Sequence, residues 1–553
     1  MASHSSPLNA DYVVVGAGTA GCAVARRLAE DPQCRVVLLE AGGHDRHPFV
    51  RMPVAFLQTL RNPAFNWNYH SEPEARLGGR RLPVPRGKLL GGSSSINGLF
   101  HIRGHARDFD EWRDLGNDGW GYADVLPYFK RSERNWRGAG PYHGDAGPVS
   151  VRAIDTARLL HEPLKAAAVN AGHSYLPDYD VPHDDGFAKG EVAVDDRGRR
   201  CSSARAYLRD LPANLTVLSR AQVRRIVIEG TRAVAVECRR GGVPLTVRAE
   251  REIVLSAGTY NSPHLLMLSG VGPANELRKC GIRPVLDLPG VGQNLIEHPR
   301  VPLRFDAAKP VTFATQLRLD RAAVSFLNWA VFGKGPFATQ ICSGTFLLRT
   351  DPGLDRPDIQ LLCNPIGFDA RVWVPGLLPA RPHCFYVTVC LLHQRSRGQV
   401  SLASADPADA PRISFNLLSD PADVVTLREG VRAARRIYRT EPQASLTAAE
   451  TVPGDHLNSD TELDDAIRAL VGITHHPVGT CRMGQDGMAV VAPDLRVRGI
   501  DGLRIADASV MPTIPGANTN AATLMIGEKA ADLILGRALP PEYPDHVRQE
   551  SPS

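Results

Sequence analysis

The sequence lacks closely spaced cysteines and long apolar segments. No two of its ten cysteines lie closer than six residues apart, which excludes a Cys-x-x-Cys metal site and a Cys-x-x-Cys redox pair. No stretch approaches the ~20 consecutive apolar residues that a membrane-spanning helix needs. We therefore expect a protein with no bound metal and no transmembrane segment.

An excess of charge of either sign is also missing. The 553-residue chain carries 64 basic and 59 acidic residues, a net charge of +5, and the basic residues are scattered. This balance gives no indication of binding to nucleic acid. The polar segment before the first predicted strand, residues 1–10, is too short for a secretory signal. We expect a cytoplasmic protein, with peripheral attachment to the inner membrane left open.

The chain is longer than one hydrophobic core normally serves, so we expect two or three interleaved lobes. Hydrophobic residues make up 43% of the sequence, which is ample for globular cores. Residues 301–412 are rich in proline and in strand-forming residues, which is typical of a separate antiparallel lobe.

A glycine motif near the N-terminus is the first concentration of functional signal. An apolar run over residues 12–15 predicts a buried strand, and a Gly-x-Gly-x-x-Gly turn at Gly16, Gly18 and Gly21 leads from it into a predicted helix. The unpaired amides and positive dipole at such a helix start favour a pyrophosphate. Glu40 ends the next predicted strand, near the offset of ~20 residues expected for a carboxylate that binds a ribose hydroxyl. The pattern predicts a dinucleotide-binding unit.

Two further segments concentrate functional residue types. Residues 87–104 combine glycines and serines with apolar side chains, and they supply the many donors that a cofactor's phosphates and ring edges need. Residues 474–484 place His475 and His476 in a Pro/Gly turn, and Asn518 follows shortly before a predicted helix. Each segment alone is also compatible with a linker or an ordinary turn, although linkers rarely carry so many apolar residues.

Periodicity and alternation predict the remaining elements. Helices are predicted over residues 159–171, 201–208, 420–438 and 521–535, and a strand over residues 385–392. Residues 215–219, 223–228 and 233–238 are predicted as strands of an antiparallel excursion. Residues 251–258 then return to the first sheet as a buried strand.

Together these segments resemble the glucose–methanol–choline (GMC) oxidoreductases, a family of flavoproteins. The resemblance extends from residue 11 to about residue 537. It implies an α/β fold, in which a Rossmann-like FAD-binding domain is interleaved with an α+β substrate domain carrying an antiparallel sheet. The implied regions are residues 10–300 for the N-terminal FAD-binding part, residues 301–412 for the main substrate-binding lobe, and residues 413–540 for the C-terminal part that completes the FAD domain.

The resemblance also implies FAD as the cofactor, bound without a covalent link. Some family members attach FAD through a histidine in the glycine–serine segment, and Ile96 occupies that position here. The pyrophosphate is assigned to the glycine motif, the ribose to Glu40, the adenine to Val223 and Ala257, and the flavin to the later segments. The full set of implied cofactor-binding residues is Gly16, Ala17, Gly18, Thr19, Ala20, Gly21, Glu40, Ala41, Trp67, Lys88, Gly92, Ser93, Asn97, Gly98, Leu99, Val223, Ala257, Asp507, Ala508 and Thr519.

His476 and Asn518 are the implied catalytic residues. Oxidation of an alcohol by hydride transfer requires a base for the hydroxyl proton, and an imidazole suits this task at neutral pH. Asn518 aligns with a second active-site position and would hydrogen-bond the same oxygen. We interpret His475 as a pocket wall or structural donor, and His298 as an ordinary surface or core histidine.

The predicted reaction is the oxidation of a small-molecule alcohol, primary rather than secondary, to an aldehyde. The electron acceptor stays open between oxygen and a quinone-type compound. Two other classes also stay open. A flavin-containing hydroxynitrile lyase would use this scaffold without net redox change, and a nicotinamide-dependent dehydrogenase would share only the glycine motif.

Overall fold

The computed structural model describes residues 8–181 and 185–544. Within them, two large sheets and thirteen α-helices form two main hydrophobic cores. The helices are Thr19–Leu28, Pro48–Arg51, Phe56–Arg61, Ala106–Asp114, Tyr122–Ser132, His161–Asn170, Ser203–Tyr207, Gly258–Leu268, Ala274–Lys279, Leu319–Phe332, Pro421–Tyr438, Asp460–Leu470 and Asn520–Leu535. None of these helices is both long and apolar enough to cross a bilayer.

The first sheet has seven strands and is parallel where it meets the glycine motif. Its parallel strands are, in spatial order, Leu215–Leu218, Val36–Leu39, Leu8–Val15, Val243–Leu255 and Leu503–Ile505. The long strand Val243–Leu255 also pairs antiparallel with Arg232–Arg240, which pairs with Ala221–Glu229. Val36–Leu39 is buried along its whole length, as expected for a parallel strand covered on both faces.

The second sheet has eight strands and is almost wholly antiparallel. Its strands are, in spatial order, Thr447–Val452, Pro299–Ala307, Cys384–Leu391, Ile359–Asn364, Gly344–Leu348, Gly186–Ala188 and Tyr175–Leu176, with Gly472–Ile473 also paired to Pro299–Ala307. Helix Pro421–Tyr438 packs on one face, where a Cβ at Gly430 would lie 2.7 Å from the side chain of Val389.

Short strand pairs complete the described structure. They are Tyr69–His70 with Pro83–Val84, Glu133–Asn135 with Val149–Ala153 and Glu191–Ala193, Val271–Gly272 with Leu286–Asp287, and Gln399–Ser401 with Arg412–Ser414.

A buried carboxylate fixes the C-terminal helix against the first helix. Glu528 is fully buried, and it accepts hydrogen bonds from Arg27 Nε (2.7 Å), Arg131 Nε (2.8 Å) and the Tyr207 hydroxyl (2.6 Å). Three donors from three separate segments compensate the burial of its charge. Helix Asn520–Leu535 therefore completes the layer that begins with Thr19–Leu28, although about 500 residues separate them.

The helices predicted from periodicity are confirmed with small shifts at their ends. Residues 159–171 form His161–Asn170, residues 420–438 form Pro421–Tyr438, and residues 521–535 form Asn520–Leu535. The Asp420 side chain caps its helix by accepting a hydrogen bond from the Ala422 amide, as an N-cap aspartate does.

One predicted pairing is wrong. Residues 215–219 do not belong to an antiparallel excursion, because Leu215–Leu218 pairs in parallel with Val36–Leu39 and forms the edge of the first sheet. The next two predicted strands are antiparallel, as Ala221–Glu229 and Arg232–Arg240. A four-residue apolar strand carries no signal for the direction of its partner, which depends on the crossover before it.

Candidate active site

The glycine motif forms a tight turn between strand Leu8–Val15 and helix Thr19–Leu28. Gly16 has φ of +101°, and a Cβ at Gly21 would lie 1.9 Å from the Gly16 carbonyl oxygen. No side chain caps the helix at Gly18, so its first amides are available to a ligand. The Thr19 hydroxyl instead donates to Asn520 Oδ1 (3.0 Å), which brings the C-terminal helix start alongside the turn.

Glu40 lies behind this turn at the end of strand Val36–Leu39. Its carboxylate accepts hydrogen bonds from the Gly42 amide (2.7 Å) and the Ala17 amide (3.1 Å). Burial raises the pKa of Glu40 to about 7. Ala221 N donates to the Glu40 carbonyl oxygen (2.8 Å), so the strand that carries Val223 starts beside the carboxylate, while Ala41 continues the same turn.

The glycine–serine segment packs directly on the glycine motif. A Cβ at Gly92 would lie 2.8 Å from Gly18 Cα, and the Gly91 amide donates to the Ala17 carbonyl oxygen (2.8 Å). Ser93 Oγ accepts from the Gly87 amide (3.2 Å). Residues without side chains make this close approach of two backbones possible.

The end of this segment is held by residues that sequence reasoning missed. Asn97 Oδ1 accepts hydrogen bonds from the Leu99 amide (3.1 Å) and from Arg200 Nη1 (2.7 Å). Gln340 Nε2 donates to the Gly98 carbonyl oxygen (2.8 Å). Ile96 is 1% exposed and lies in a small apolar cluster. Arg200 and Gln340 lie in no recognisable motif, so no local pattern distinguishes them from other polar residues.

Trp67 and Lys88 contact each other at the start of the glycine–serine segment. The Lys88 ammonium sits 4.2 Å from the centroid of the Trp67 ring, a cation–π contact. Its positive charge also acts to lower the pKa of Glu40, against the larger effect of burial. The amides and the ammonium are donors suited to two phosphates, and the carboxylate is an acceptor suited to a ribose hydroxyl, so the set fits a dinucleotide.

The Asp507 carboxylate ties the third segment to the other two. Its Oδ2 accepts from the Gly258 amide (2.9 Å) and the Ser262 hydroxyl (2.6 Å), and its Oδ1 accepts from the Ser509 amide (2.8 Å). The side chain therefore faces helix Gly258–Leu268, beside Ala257. Ala508 follows in the same turn, and its carbonyl oxygen accepts from the Gly479 amide (3.2 Å). Thr519 precedes helix Asn520–Leu535 at the N-cap position and makes no capping hydrogen bond with its side chain.

His476 lies at the centre of a cluster of polar side chains. Its Nε2 is 3.0 Å from Asn518 Nδ2, and its Nδ1 is 3.1 Å from His298 Nδ1. The His476 amide donates to Glu297 Oε1 (2.7 Å). His298 Nε2 in turn contacts the Leu392 carbonyl oxygen at 3.0 Å. Both residues implied as catalytic are thus within hydrogen-bond distance of each other.

These contacts fix the tautomers of the two histidines. The Leu392 carbonyl can only accept, so His298 Nε2 carries a hydrogen. Burial lowers the pKa of His298 to about 3, so the ring is neutral and its Nδ1 is an acceptor. His476 Nδ1 must then carry the hydrogen that it shares with His298. The lone pair of a neutral His476 is therefore on Nε2, the atom next to Asn518.

Charge and burial around His476 favour its neutral form. Burial, and then the nearby His298, His475 and Arg86, lower the pKa of His476 well below its usual value. Burial raises the pKa of Glu297 to about 7. The interpretation of His298 as an ordinary histidine overlooked its contact with His476, and Glu297 was overlooked altogether. The tripeptide Glu-His-Pro that contains them is not a recognisable motif. Nothing in it indicates a contact with His476, which lies 178 positions after His298.

His475 has a different environment from His476. Its φ is +68°, and its carbonyl oxygen accepts a hydrogen bond from Arg86 Nη2 (2.6 Å). Its Nδ1 is buried without a hydrogen-bond partner among the described residues. The contact with Asn518 is made by His476.

Comparison with known proteins agrees with this geometry. The N-terminal and C-terminal models of the GMC oxidoreductases match residues 10–300 and 394–527. The chain belongs to the GMC oxidoreductase family. Oxygen-dependent choline dehydrogenase of Brucella canis is 41% identical over 533 residues, which cover 96% of each chain. The family resemblance read from the motifs is confirmed.

Solved structures of GMC oxidoreductases share the fold. A formate oxidase from Aspergillus oryzae, studied for the effect of a mutation on FAD modification, has a TM-score of 0.89 and 29% identity, covering 96% of this chain and 99% of its own. Pyridoxine 4-oxidase from Mesorbium loti has a TM-score of 0.83 and 31% identity, covering 95% and 98%. The predicted α/β fold class is confirmed.

The contact between Gly92 and Gly18 gives a test of the cofactor site of this GMC oxidoreductase. Gly92→Ala should force the two turns apart, because its Cβ would lie 2.8 Å from a backbone atom. We expect the purified variant to lose most of its flavin absorbance. Gly230→Ala is the matched control, since Gly230 also has positive φ (+61°) but nothing within 4 Å of the added Cβ. Equal flavin content in the two variants would contradict the assignment of the cofactor to these two turns.

Proposed function

We propose that this protein oxidises a primary alcohol to the aldehyde with non-covalently bound FAD, and that His476 is the base. FAD, when bound, accepts the hydride that leaves the alcohol carbon. The observation that carries the proposal is the position of His476, with its Nε2 3.0 Å from Asn518 Nδ2 and its Nδ1 3.1 Å from His298 Nδ1. The lowered pKa of His476 favours the neutral form that a base requires. Family membership supports the redox chemistry, and the relatives that are named choline dehydrogenases support an alcohol substrate.

The chain's own residues divide the work on the substrate oxygen. His476 Nε2 would take the hydroxyl proton, so that the imidazole becomes imidazolium as the carbon loses its hydride. Asn518 Nδ2 is a donor next to the same nitrogen, and it would hold the oxygen while negative charge develops there. His298 accepts from Nδ1 and so keeps the lone pair on the reactive nitrogen.

The side chain at the attachment position supports non-covalent binding of FAD. The position at which some family members carry a linking histidine is Ile96, which is buried and apolar. The pyrophosphate is assigned to the uncapped start of helix Thr19–Leu28, and the ribose to Glu40. The flavin is assigned to the space between residues 92–99 and residues 507–508, next to His476.

Replacement of the base tests the proposal directly. His476→Ala should slow anaerobic reduction of the flavin by a primary alcohol by at least ~10²-fold, the usual contribution of a general base, with FAD still bound. Stopped-flow absorbance measures the rate. His70→Ala, at an exposed histidine, should reduce at the rate of the unmodified protein. If no alcohol bleaches the unmodified protein, alcohol oxidation is excluded and a lyase reaction is favoured.

The lowered pKa of His476 predicts the pH dependence. A histidine base is active only when it is neutral, and a lowered pKa keeps it neutral as pH falls. We expect kcat/KM to stay level as pH falls through 6.5, the ordinary histidine value, and to fall only at more acidic pH. Steady-state kinetics with a neutral alcohol measures the profile. A loss of activity with a midpoint at 6.5 would contradict the burial argument.

The charges near the base predict poor use of choline. Arg86 and Arg300 are both partly exposed. Arg86 Nη2 donates to the His475 carbonyl oxygen (2.6 Å), and Arg300 Nε donates to the Ile473 carbonyl oxygen (2.9 Å). Neither has a carboxylate within ion-pair distance in the described parts of the chain. Burial raises the pKa of the nearby Glu297 carboxyl to about 7, so this group offsets the two cations only in part. The quaternary ammonium of choline would therefore meet a net like charge.

We expect kcat/KM for choline to lie roughly tenfold or more below that for a neutral primary alcohol of similar size, because of like-charge repulsion in a partly buried site. Arg300→Glu should narrow this difference, because it should raise kcat/KM for choline and leave kcat/KM for the neutral alcohol unchanged. An oxygen-consumption or dye-reduction assay across an alcohol panel measures both values. Better activity on choline than on neutral alcohols would contradict the prediction.

A further inference from the structure

Helix Leu319–Phe332 buries only one narrow stripe. Ala322, Ser325 and Trp329 face the protein, at the spacing of one helical side. The Trp329 indole donates to the Gly198 carbonyl oxygen (2.8 Å), which holds the helix in place. Most other apolar side chains of the helix face solvent. They are Leu319 (51% exposed), Val324 (58%), Phe326 (42%), Leu327 (58%), Val331 (68%) and Phe332 (67%).

A neighbouring loop extends the exposed apolar surface. The Leu319 amide donates to the Trp373 carbonyl oxygen (2.9 Å), and the Trp373 amide donates to the Leu317 carbonyl oxygen (3.0 Å). This loop exposes Val372 (42%) and Leu377 (83%). We call these two residues and the six on the helix the apolar patch. It holds eight of the twenty exposed large hydrophobic side chains in the described residues, so the clustering is strong.

Basic residues surround the apolar patch. Arg321 lies one turn before Val324, Lys334 follows Phe332, and Arg371 precedes Val372, and all three are exposed. Within residues 8–181 and 185–544, none of the three has a carboxylate within ion-pair distance. The one acidic residue on the helix, Asp320, is already paired with Arg318 at 2.5 Å. The rim of the patch is therefore positively charged.

We infer that the apolar patch docks on a membrane surface that contains anionic lipids. Large exposed apolar patches mark sites of protein or membrane contact. A helix with Phe and Leu on its exposed side and Lys or Arg around it inserts its apolar side chains at the lipid interface, while the cations meet anionic headgroups. The charges argue against a second copy, because a two-fold interface over the patch would bring a second set of the same three cations to it and no additional kind of residue to pair with them.

The patch is connected to the candidate flavin site. Ala322 and Trp329 pack in one apolar cluster with Phe337, Ile341 and Leu99, and Leu99 is among the implied flavin-binding residues. Docking would therefore place the lipid surface on the Leu99 side of the candidate flavin site. Membrane binding itself needs no turnover, so its test is independent of the proposed reaction.

Flotation of the full-length, FAD-loaded protein with lipid vesicles tests the inference. We expect binding to vesicles of phosphatidylglycerol and phosphatidylcholine, weaker binding to phosphatidylcholine alone, and weakening by high salt. A Val331→Ser/Phe332→Ser double variant should lose about tenfold or more in vesicle affinity, because two of the most exposed side chains no longer leave water. Lys334→Glu should lose about fivefold or more, the effect of one basic residue at an anionic surface.

Matched controls separate docking from other effects. Val243→Ser removes an equally exposed valine (63%) outside the patch, and it should bind vesicles like the unmodified protein. Leu377→Ser, on the loop rather than the helix, should weaken binding without depending on the stability of the helix. Absence of vesicle binding by the unmodified protein would overturn the inference. So would a dimer in solution that the double variant dissociates without any effect on vesicles, since the patch would then be a subunit interface.

Discussion

The whole site depends on close contact between polypeptide backbones at the carboxyl ends of the parallel strands. A Cβ at Gly16 would lie 2.4 Å from the Ser256 carbonyl oxygen, and a Cβ at Gly92 would lie 2.8 Å from Gly18 Cα. The turn after the first strand, the turn after strand Val243–Leu255 and the glycine–serine segment are thus in contact without intervening side chains. A ligand that lies across them can therefore meet main-chain amides from several segments at once. No side chain of ordinary size could replace these glycines without separating the segments.

The same packing sets the protonation of the groups around His476. His476, His298 and Glu297 come from two chain segments that adjoin paired strands of the second sheet, and Glu297 and His298 are buried there. Desolvation disfavours the charged form of each group, so the pKa values of the histidines are lowered and that of Glu297 is raised. Because these groups are neutral, their burial destabilises the folded state much less than burial of unpaired charges would. They also leave one imidazole lone pair without a proton, which is the condition for a base.

The sequence predicted those features that local residue patterns determine. The turn at Gly16–Gly18–Gly21, the helices and the buried strands follow from glycine placement and apolar periodicity within a few residues. Leu215–Leu218 was predicted as a strand but with the wrong partner direction, because pairing depends on a crossover and not on the strand's own residues. His298 and Arg200 were missed for a related reason. Their roles arise from contacts with His476 and Asn97, more than 100 residues away in sequence.

The exposure of helix Leu319–Phe332 could not be predicted from its own residues. An apolar helix with large hydrophobic side chains on nearly every side is normally found inside a protein. Here Trp329 and its two buried companions face the core, while Val331 and Phe332 remain about two-thirds exposed. Exposing this much apolar surface to water is unfavourable, and selection for stability or solubility alone would replace these side chains with polar ones. An apolar environment that covers the helix when the protein works removes the conflict, and the unpaired cations around the patch favour a negatively charged lipid surface in that role.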